Sequence, residues 1–184
     1  MSEIRIEPLR DSPEIRETLS EILIEAVASG GSVSFMHPLT PQAARAFWDD
    51  ALAGAARGER VILGAWNGES LAGTVTLLLD CAPNQPHRAE ITKLMTRLSH
   101  RGGGVAIALM RAAEDLAVKR ERTLLVLITA SDGGASSLFE KLGFLRAGEI
   151  PDYALKPHGG LTGTTIFWKR IGGRHEDRDP ASGA

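Results

Sequence analysis

Arg101-Gly102-Gly103-Gly104-Val105-Ala106 sets a fixed cation and three successive glycines between a strand-like run, Ile91 to Thr96, and a long amphipathic helical pattern. Glycine reaches positive φ without a Cβ penalty, so the loop can turn its N–H groups toward one point. A helix N-terminus adds unpaired amides and the positive end of its dipole at the same place. Together they suit an anion, with Arg101 at the mouth. Glycine runs also mark ordinary turns, so the strand, the arginine and the helix around them carry the reading. Two phosphate-binding designs are excluded by the residues that follow. No Lys-Ser or Lys-Thr pair comes after the glycines, as a triphosphate loop requires. The next strand, Thr123 to Thr129, offers no acid to hold the ribose of a dinucleotide. A pyrophosphate fits best.

Other reactive side chains are scattered. Cys81 is the only cysteine, so it forms no internal disulfide; before Ala82-Pro83-Asn84 it reads as an incidental thiol in a loop. His37, His87, His100, His158 and His175 show no metal-ligand spacing, and no metal is expected. Ser136 and Ser137 read as helix-start residues, since no His or Asp arrangement accompanies them.

The elements that would position the loop follow from periodicity. Ile4 to Leu9 alternates as a first strand, and Asp11 or Ser12 caps a helix that carries Pro13 in its first turn and ends at Gly30-Gly31. Thr40-Pro41 opens a second helix. Arg60 to Trp66 and Leu71 to Leu79 read as strands joined through the hairpin signal Asn67-Gly68, with Ala89 to Thr96 as the next strand. Val105, Leu109, Ala112, Ala113 and Leu116 form the buried stripe of the helix after the glycines. Thr123 to Thr129 reads as a continuous apolar strand, buried on both faces and parallel to the strand before that helix. A short helix over about 134–142 and strands near 144–154 and 164–171 complete the chain.

With 184 residues, 43% of them hydrophobic, the sequence predicts one domain over 1–171 and a disordered tail over 172–184, rich in charge, Gly, Pro and Ser. A net charge of -2 with scattered Lys and Arg argues against nucleic acid as a partner. Apolar runs are far short of a membrane span, and Met1 to Arg10 has no signal-peptide core, which predicts a cytoplasmic protein. A homodimer is compatible with the chain.

Arg101, Gly104 and Ala106 fill the pattern Arg/Gln-x-x-Gly-x-Gly/Ala, and Leu138-Phe139-Glu140-Lys141-Leu142-Gly143-Phe144 is similar to the closing element of the GNAT acetyltransferase superfamily. The segments 30–36, 88–95 and 148–153 further resemble tabtoxin-resistance-type acetyltransferases. The resemblance implies an α/β (α+β) fold: a mixed, mostly antiparallel sheet with helices on both faces and a splayed parallel strand pair. It also implies that acetyl-coenzyme A pairs with the strand edge at Leu94, Met95 and Thr96, with its pyrophosphate on Gly102, Gly103, Gly104, Val105 and Ala106 beside Arg101. The Met95 N–H would then stabilise the thioester oxygen as charge develops.

The implied chemistry is attack of a small molecule's primary amine on the acetyl thioester. Deprotonating an alkylamine of pKa about 10.4 at pH 7 costs about 4–5 kcal/mol, against about 2 kcal/mol for a thiol of pKa about 8.5 to leave unprotonated. A base matters more than an acid. Glu90, opening the thioester strand, is the candidate base, directly or through water; a surface pairing with Arg88 is the competing role. The family's acid is a tyrosine where this chain has Phe139, and an asparagine that contacts the coenzyme is replaced by Asp132. Tyr153, the only tyrosine, is the candidate substitute acid or an acceptor-pocket residue, with packing of its ring as the competing role. Phe35, Met36 and Trp48 fall where the resembled fold forms an acceptor wall, although core packing is the competing role for each. Subgroup analogy suggests an antibiotic or amino-acid-like toxin as acceptor. The departures at Phe139 and Asp132 motivate a non-catalytic acyl-coenzyme A sensor as the alternative, and a protein lysine or N-terminal acetyltransferase is the third reading.

Overall fold

Two helix starts are set by local chemistry. The hydroxyls of Ser12 and Thr40 accept the N–H of Ile15 and Ala43, each at 3.2 Å. Pro13 and Pro41 follow in the first turn, where a missing N–H costs nothing. In the computed structural model, which describes residues 4–172, these caps open α1 (Pro13–Ala28) and α2 (Pro41–Ala56). Ser12 is the cap of α1, while Asp11 instead pairs with Arg16 at 2.7 Å. Beyond α1 the chain turns through Gly30 at φ 86°.

The strands are β1 (Ile4–Pro8), β2 (Arg60–Asn67), β3 (Ser70–Leu78), β4 (Arg88–Thr96), β5 (Leu124–Ala130), β6 (Leu145–Leu155) and β7 (Leu161–Arg170). They form one seven-stranded sheet in the order β1-β2-β3-β4-β5-β7-β6. Every neighbouring pair is antiparallel except β4 and β5. A 3₁₀ turn (Leu98–His100) and the glycines connect β4 to α3 (Val105–Lys119), and α4 (Ser136–Lys141) leads from β5 to β6.

Two apolar clusters hold the helices to opposite faces. Leu109, Met110, Ala113 and Ala117 of α3 and Phe139 of α4 pack with Leu125, Leu127 and Phe167 on one face. Leu19, Ile22 and Leu23 of α1 and Ala44, Trp48 and Leu52 of α2 pack with Ile62, Leu71 and Met95 on the other. The α/β (α+β) fold with helices on both faces is therefore present.

The parallel ladder is short. Pairing runs from Arg88 opposite Leu124 to Ile91 opposite Leu127, after which β4 continues to Thr96 and β5 to Ala130 without each other. On its other side β4 carries a bulge: Thr92 pairs with Thr76 and Met95 with Thr74, so Lys93 and Leu94 oppose the single residue Val75. Lys93 takes φ 54°, a left-handed conformation uncommon outside glycine. Gly73 allows β3 to approach here, since a Cβ would stand 2.6 Å from the Met95 carbonyl oxygen.

Three expectations are corrected. β5 begins at Leu124 and is not buried on both faces: Leu125 and Leu127 are in the core, while Ile128 is 48% exposed where β4 parts from it. The fourth helix is shorter than expected, because Gly134 at φ 72° precedes it as loop. The last strand begins earlier, at Leu161. The tail expected over 172–184 lies, apart from Gly172, outside the described residues.

Candidate active site

The parted ends of β4 and β5 border a cavity of about 740 Å³, within the size range of small-molecule sites. Its walls are the β4 stretch from Ile91 to Thr96, the β5 stretch from Leu127 to Ala130, the glycine loop with the first turn of α3, and the α1–α2 loop from Gly31 to Ser34. Phe139 adds an apolar patch, 5% exposed and packed near Phe144 and Phe167.

One end of the cavity is made for an anion. Gly102 and Gly104 both take φ 80°, and Gly104 is the N-cap of α3 with no side chain capping it. Among the described residues the N–H groups of Gly102, Gly104, Val105, Ala106 and Ile107 meet no main-chain or side-chain acceptor. In α1 and α2 a cap hydroxyl takes one first-turn amide, that of Ile15 or Ala43; α3 has no such cap and leaves its first-turn amides open at the cavity. Apart from Val105 these residues are exposed or half-buried, so the donors stand open to a ligand, and the helix dipole biases that ligand toward negative charge. Arg101 also lines the cavity and donates to the Ser29 hydroxyl at 3.2 Å, with no carboxylate partner among the described residues.

The loop is braced from behind. Arg97 donates to Glu21 at 2.7 Å, to Glu25 at 3.4 Å and to the Leu71 carbonyl at 3.2 Å, and Glu25 accepts the Leu98 N–H. This network ties the end of β4 to α1 and fixes where the glycines begin.

Leu94, Met95, Thr96, Arg101, Gly102, Gly104, Val105, Ala106 and Phe139 are brought together around this one cavity. Gly103 stands between its two lining neighbours without lining it. Glu90 lies in the paired part of β4, one residue before the cavity-lining stretch. Since Ala89 and Ile91 pack toward α3, strand alternation puts Glu90 on the α1–α2 face, the face of Met95.

Other candidates fall elsewhere. Trp48 is fully buried in the core under α1 and α2, so it is not an open acceptor wall; its helical stripe reported packing. Met36 is 45% exposed and outside the cavity. Phe35 packs edge-to-face on Phe47 at 5.3 Å, next to a cavity-lining side chain. Tyr153 is 57% exposed on the irregular part of β6 and does not line the cavity where a thiolate would need its proton. Asp132 also lies outside it: its carboxylate meets Lys156 at 2.5 Å and accepts from Thr162 at 2.6 Å, and these bonds, that of Lys156 foremost, hold its pKa below the usual carboxylate value.

Lys93 is the site residue the sequence reading missed. It lines the cavity, its ammonium lies 6.0 Å from the Phe35 ring centre and 5.5 Å from that of Phe47, and it donates to the Ser34 hydroxyl at 3.4 Å. Burial lowers its pKa, and the charge of Glu90 opposes that shift. A lysine inside a central strand was the available signal.

A family model described as the acetyltransferase (GNAT) family matches residues 24–144. The chain belongs to the GNAT acetyltransferase family. Solved structures agree on the fold. An N-acetyltransferase from Staphylococcus aureus Mu50 superimposes with a TM-score of 0.76 at 19% identity, covering 92% of this chain and 99% of that one. The ribosomal-protein-alanine N-acetyltransferase of Brucella melitensis gives 0.77 at 18% identity, covering 92% and 99%. The yncA protein of Salmonella typhimurium, solved with its cofactor acetyl-CoA, gives 0.75 at 17%, covering 96% and 98%. As a GNAT chain, the protein is an acetyltransferase that uses acetyl-CoA, and its free amides at a strand splay fit the pyrophosphate of that cosubstrate. No helix among the described residues is long and apolar enough to cross a membrane.

Proposed function

We propose that this chain transfers an acetyl group from acetyl-CoA to the primary amine of a small molecule by direct attack on the thioester. The observation that carries the reading is the set of unpartnered amides at Gly102 and Gly104–Ile107 beside a cavity between two parted parallel strands. Acetyl-CoA supplies the activated acyl group. The glycine-loop amides and Arg101 hold its pyrophosphate, and the β4 edge at Leu94–Thr96 aligns the acyl arm. Met95 pairs with Thr74 and turns its carbonyl, and with it its N–H, toward β3, so the charge that grows on the thioester oxygen falls instead to a neighbouring N–H on the open edge of β4, a donor role that elsewhere contributes about 3–4 kcal/mol to the transition state. Glu90 takes the amine proton through water from its place on the α1–α2 face. Phe139 offers no proton, and none is essential, because release of the thiolate costs only about 2 kcal/mol at pH 7. The same reading takes residues 1–171 as one catalytic domain working in the cytoplasm, alone or as a homodimer. The likeness of 30–36, 88–95 and 148–153 to tabtoxin-resistance-type enzymes supports a small acceptor.

Phe139 and the engaged carboxylate of Asp132 favour one other reading, an acyl-CoA sensor without turnover. Free-thiol release from acetyl-CoA across a panel of small amines separates the two. Acceptor-dependent thiol release supports the transferase; binding of acetyl-CoA with no release for any amine supports the sensor.

A further inference from the structure

Among the described residues no acidic side chain lines the cavity. Its charged and titratable lining residues are Lys93, His100 and Arg101, and neither Lys93 nor Arg101 has a carboxylate within salt-bridge distance among the described residues. Neighbouring cations are differently placed: Arg97 is paired with Glu21 and Glu25, Lys156 with Asp132, and Lys169 with Glu114. Arg101 is exposed at the mouth, where the pyrophosphate of the cosubstrate is its counter-charge on the reading above. Lys93 is half-buried, and a partly desolvated cation without a counter-charge is unfavourable unless something supplies the charge. Lys93 is at the other end: it precedes Met95 by two residues on β4, whereas the glycine loop follows the end of that strand, so Lys93 sits with the thioester and not with the phosphates.

The surroundings of Lys93 are built. The faces of Phe35 and Phe47 steady its ammonium by cation–π attraction, which does not consume its N–H donors. Ser34 takes one donor at 3.4 Å, a long bond. Ser34 at φ 74° and Lys93 at φ 54° are two of the four non-glycine residues in the left-handed region among the described residues, and they meet each other at the cavity wall. Strain of this kind persists where the surrounding structure over-determines it, commonly at ligand sites. Glu90 on the same strand face is the nearest acidic influence, and it is outside the cavity.

We propose that Lys93 is the specificity-determining residue of the acceptor end, and that the acceptor is a primary amine bearing an anionic group, carboxylate or phosphonate, which bonds to its ammonium. The inference rests on the acetyl-transfer reading above. It disfavours polycationic acceptors, since Lys93, Arg101 and the α3 N-terminus all repel a second positive charge.

The test compares kcat/KM by thiol release for matched acceptors: an amino carboxylate, an aminoalkyl phosphonate, the corresponding amino carboxamide and a diamine of similar length. The wild type is expected to prefer one or both anionic acceptors over the carboxamide by about 10- to 100-fold, the range of a charge-assisted hydrogen bond. Lys93→Met collapses that ratio to near one, and Lys93→Arg keeps most of it. Calorimetric titration of acetyl-CoA into each variant shows that the protein is folded and the coenzyme end intact. An equal rate for anionic and neutral acceptors, or a preference that survives Lys93→Met, overturns the proposal while leaving acetyl transfer standing. Acetyl-CoA binding with no turnover of any acceptor overturns it together with the transferase reading, and absence of acetyl-CoA binding overturns the cofactor assignment beneath both.

Discussion

Two side chains on one strand face divide the work by charge. Glu90 is the base on this account, so Glu90→Gln lowers kcat by about 10²-fold and removes the acid-side limb of its pH profile; a profile of unchanged shape rules Glu90 out. Lys93 has a measurable effect without any substrate. Burial holds its pKa below the ordinary value of 10.5. Between the folded and unfolded pKa values the unfolded chain binds more protons, so stability rises with pH across that window. Below it the full penalty for the half-buried ammonium is present. Lys93→Met therefore raises Tm at pH 7, by about 2–4 °C for each kcal/mol relieved, and the gain shrinks as pH climbs toward 10.5. Thermal scans at several pH values that show a constant difference, or a gain growing with pH, contradict this. Tyr153→Phe leaves turnover unchanged, because its ring faces solvent; a kcat loss at high pH would restore it as the acid.

At the scale of elements, the site depends on how closely β3 approaches the bulged part of β4. A Cβ on Gly73 would stand 2.6 Å from the Met95 carbonyl oxygen, 3.0 Å from a Val105 methyl and 3.3 Å from the Thr96 Cα. Two of these are backbone atoms that cannot swing aside. Gly73→Ala therefore costs about 1–3 kcal/mol of stability and displaces the β4 edge that faces the thioester, so kcat falls at least tenfold in protein whose circular dichroism is native. Unchanged kcat would place the reactive backbone elsewhere. What was legible in the sequence was local: Ser12-Pro13 and Thr40-Pro41 start helices, the hairpin signalled by Asn67-Gly68 forms with its turn one residue later at Gly68-Glu69, and the three glycines open α3 because each needs only its own neighbours. What was not legible depended on distant partners. The bulge that lifts Lys93 into the cavity is a matter of β3–β4 register. The one-sided burial of β5 follows from the parting of β4, and Trp48 looked the same as core or as pocket wall until α1 covered it.

Over the whole molecule, a chain of net charge -2 concentrates uncompensated positive charge in one cavity. That contrast suits a polyanionic cosubstrate and makes its capture weaken as ionic strength rises. The sheet supplies the opening by ending the β4–β5 ladder after Ile91 and Leu127, α3 supplies free amides, and the Arg97 network holds loop and helix in register. All of this converges on the grip of the glycine loop on a diphosphate. The direct measurement is calorimetric titration of acetyl-CoA into the wild type and into Gly104→Ala. Gly104 has open space around it but takes φ 80°, so alanine there clashes with nothing and acts through the backbone alone. A left-handed alanine costs about 1–2 kcal/mol, so the predicted result is saturable one-to-one binding to the wild type, weakened about 5- to 30-fold in the variant. No binding by the wild type, or equal affinity in the two proteins, would contradict the account.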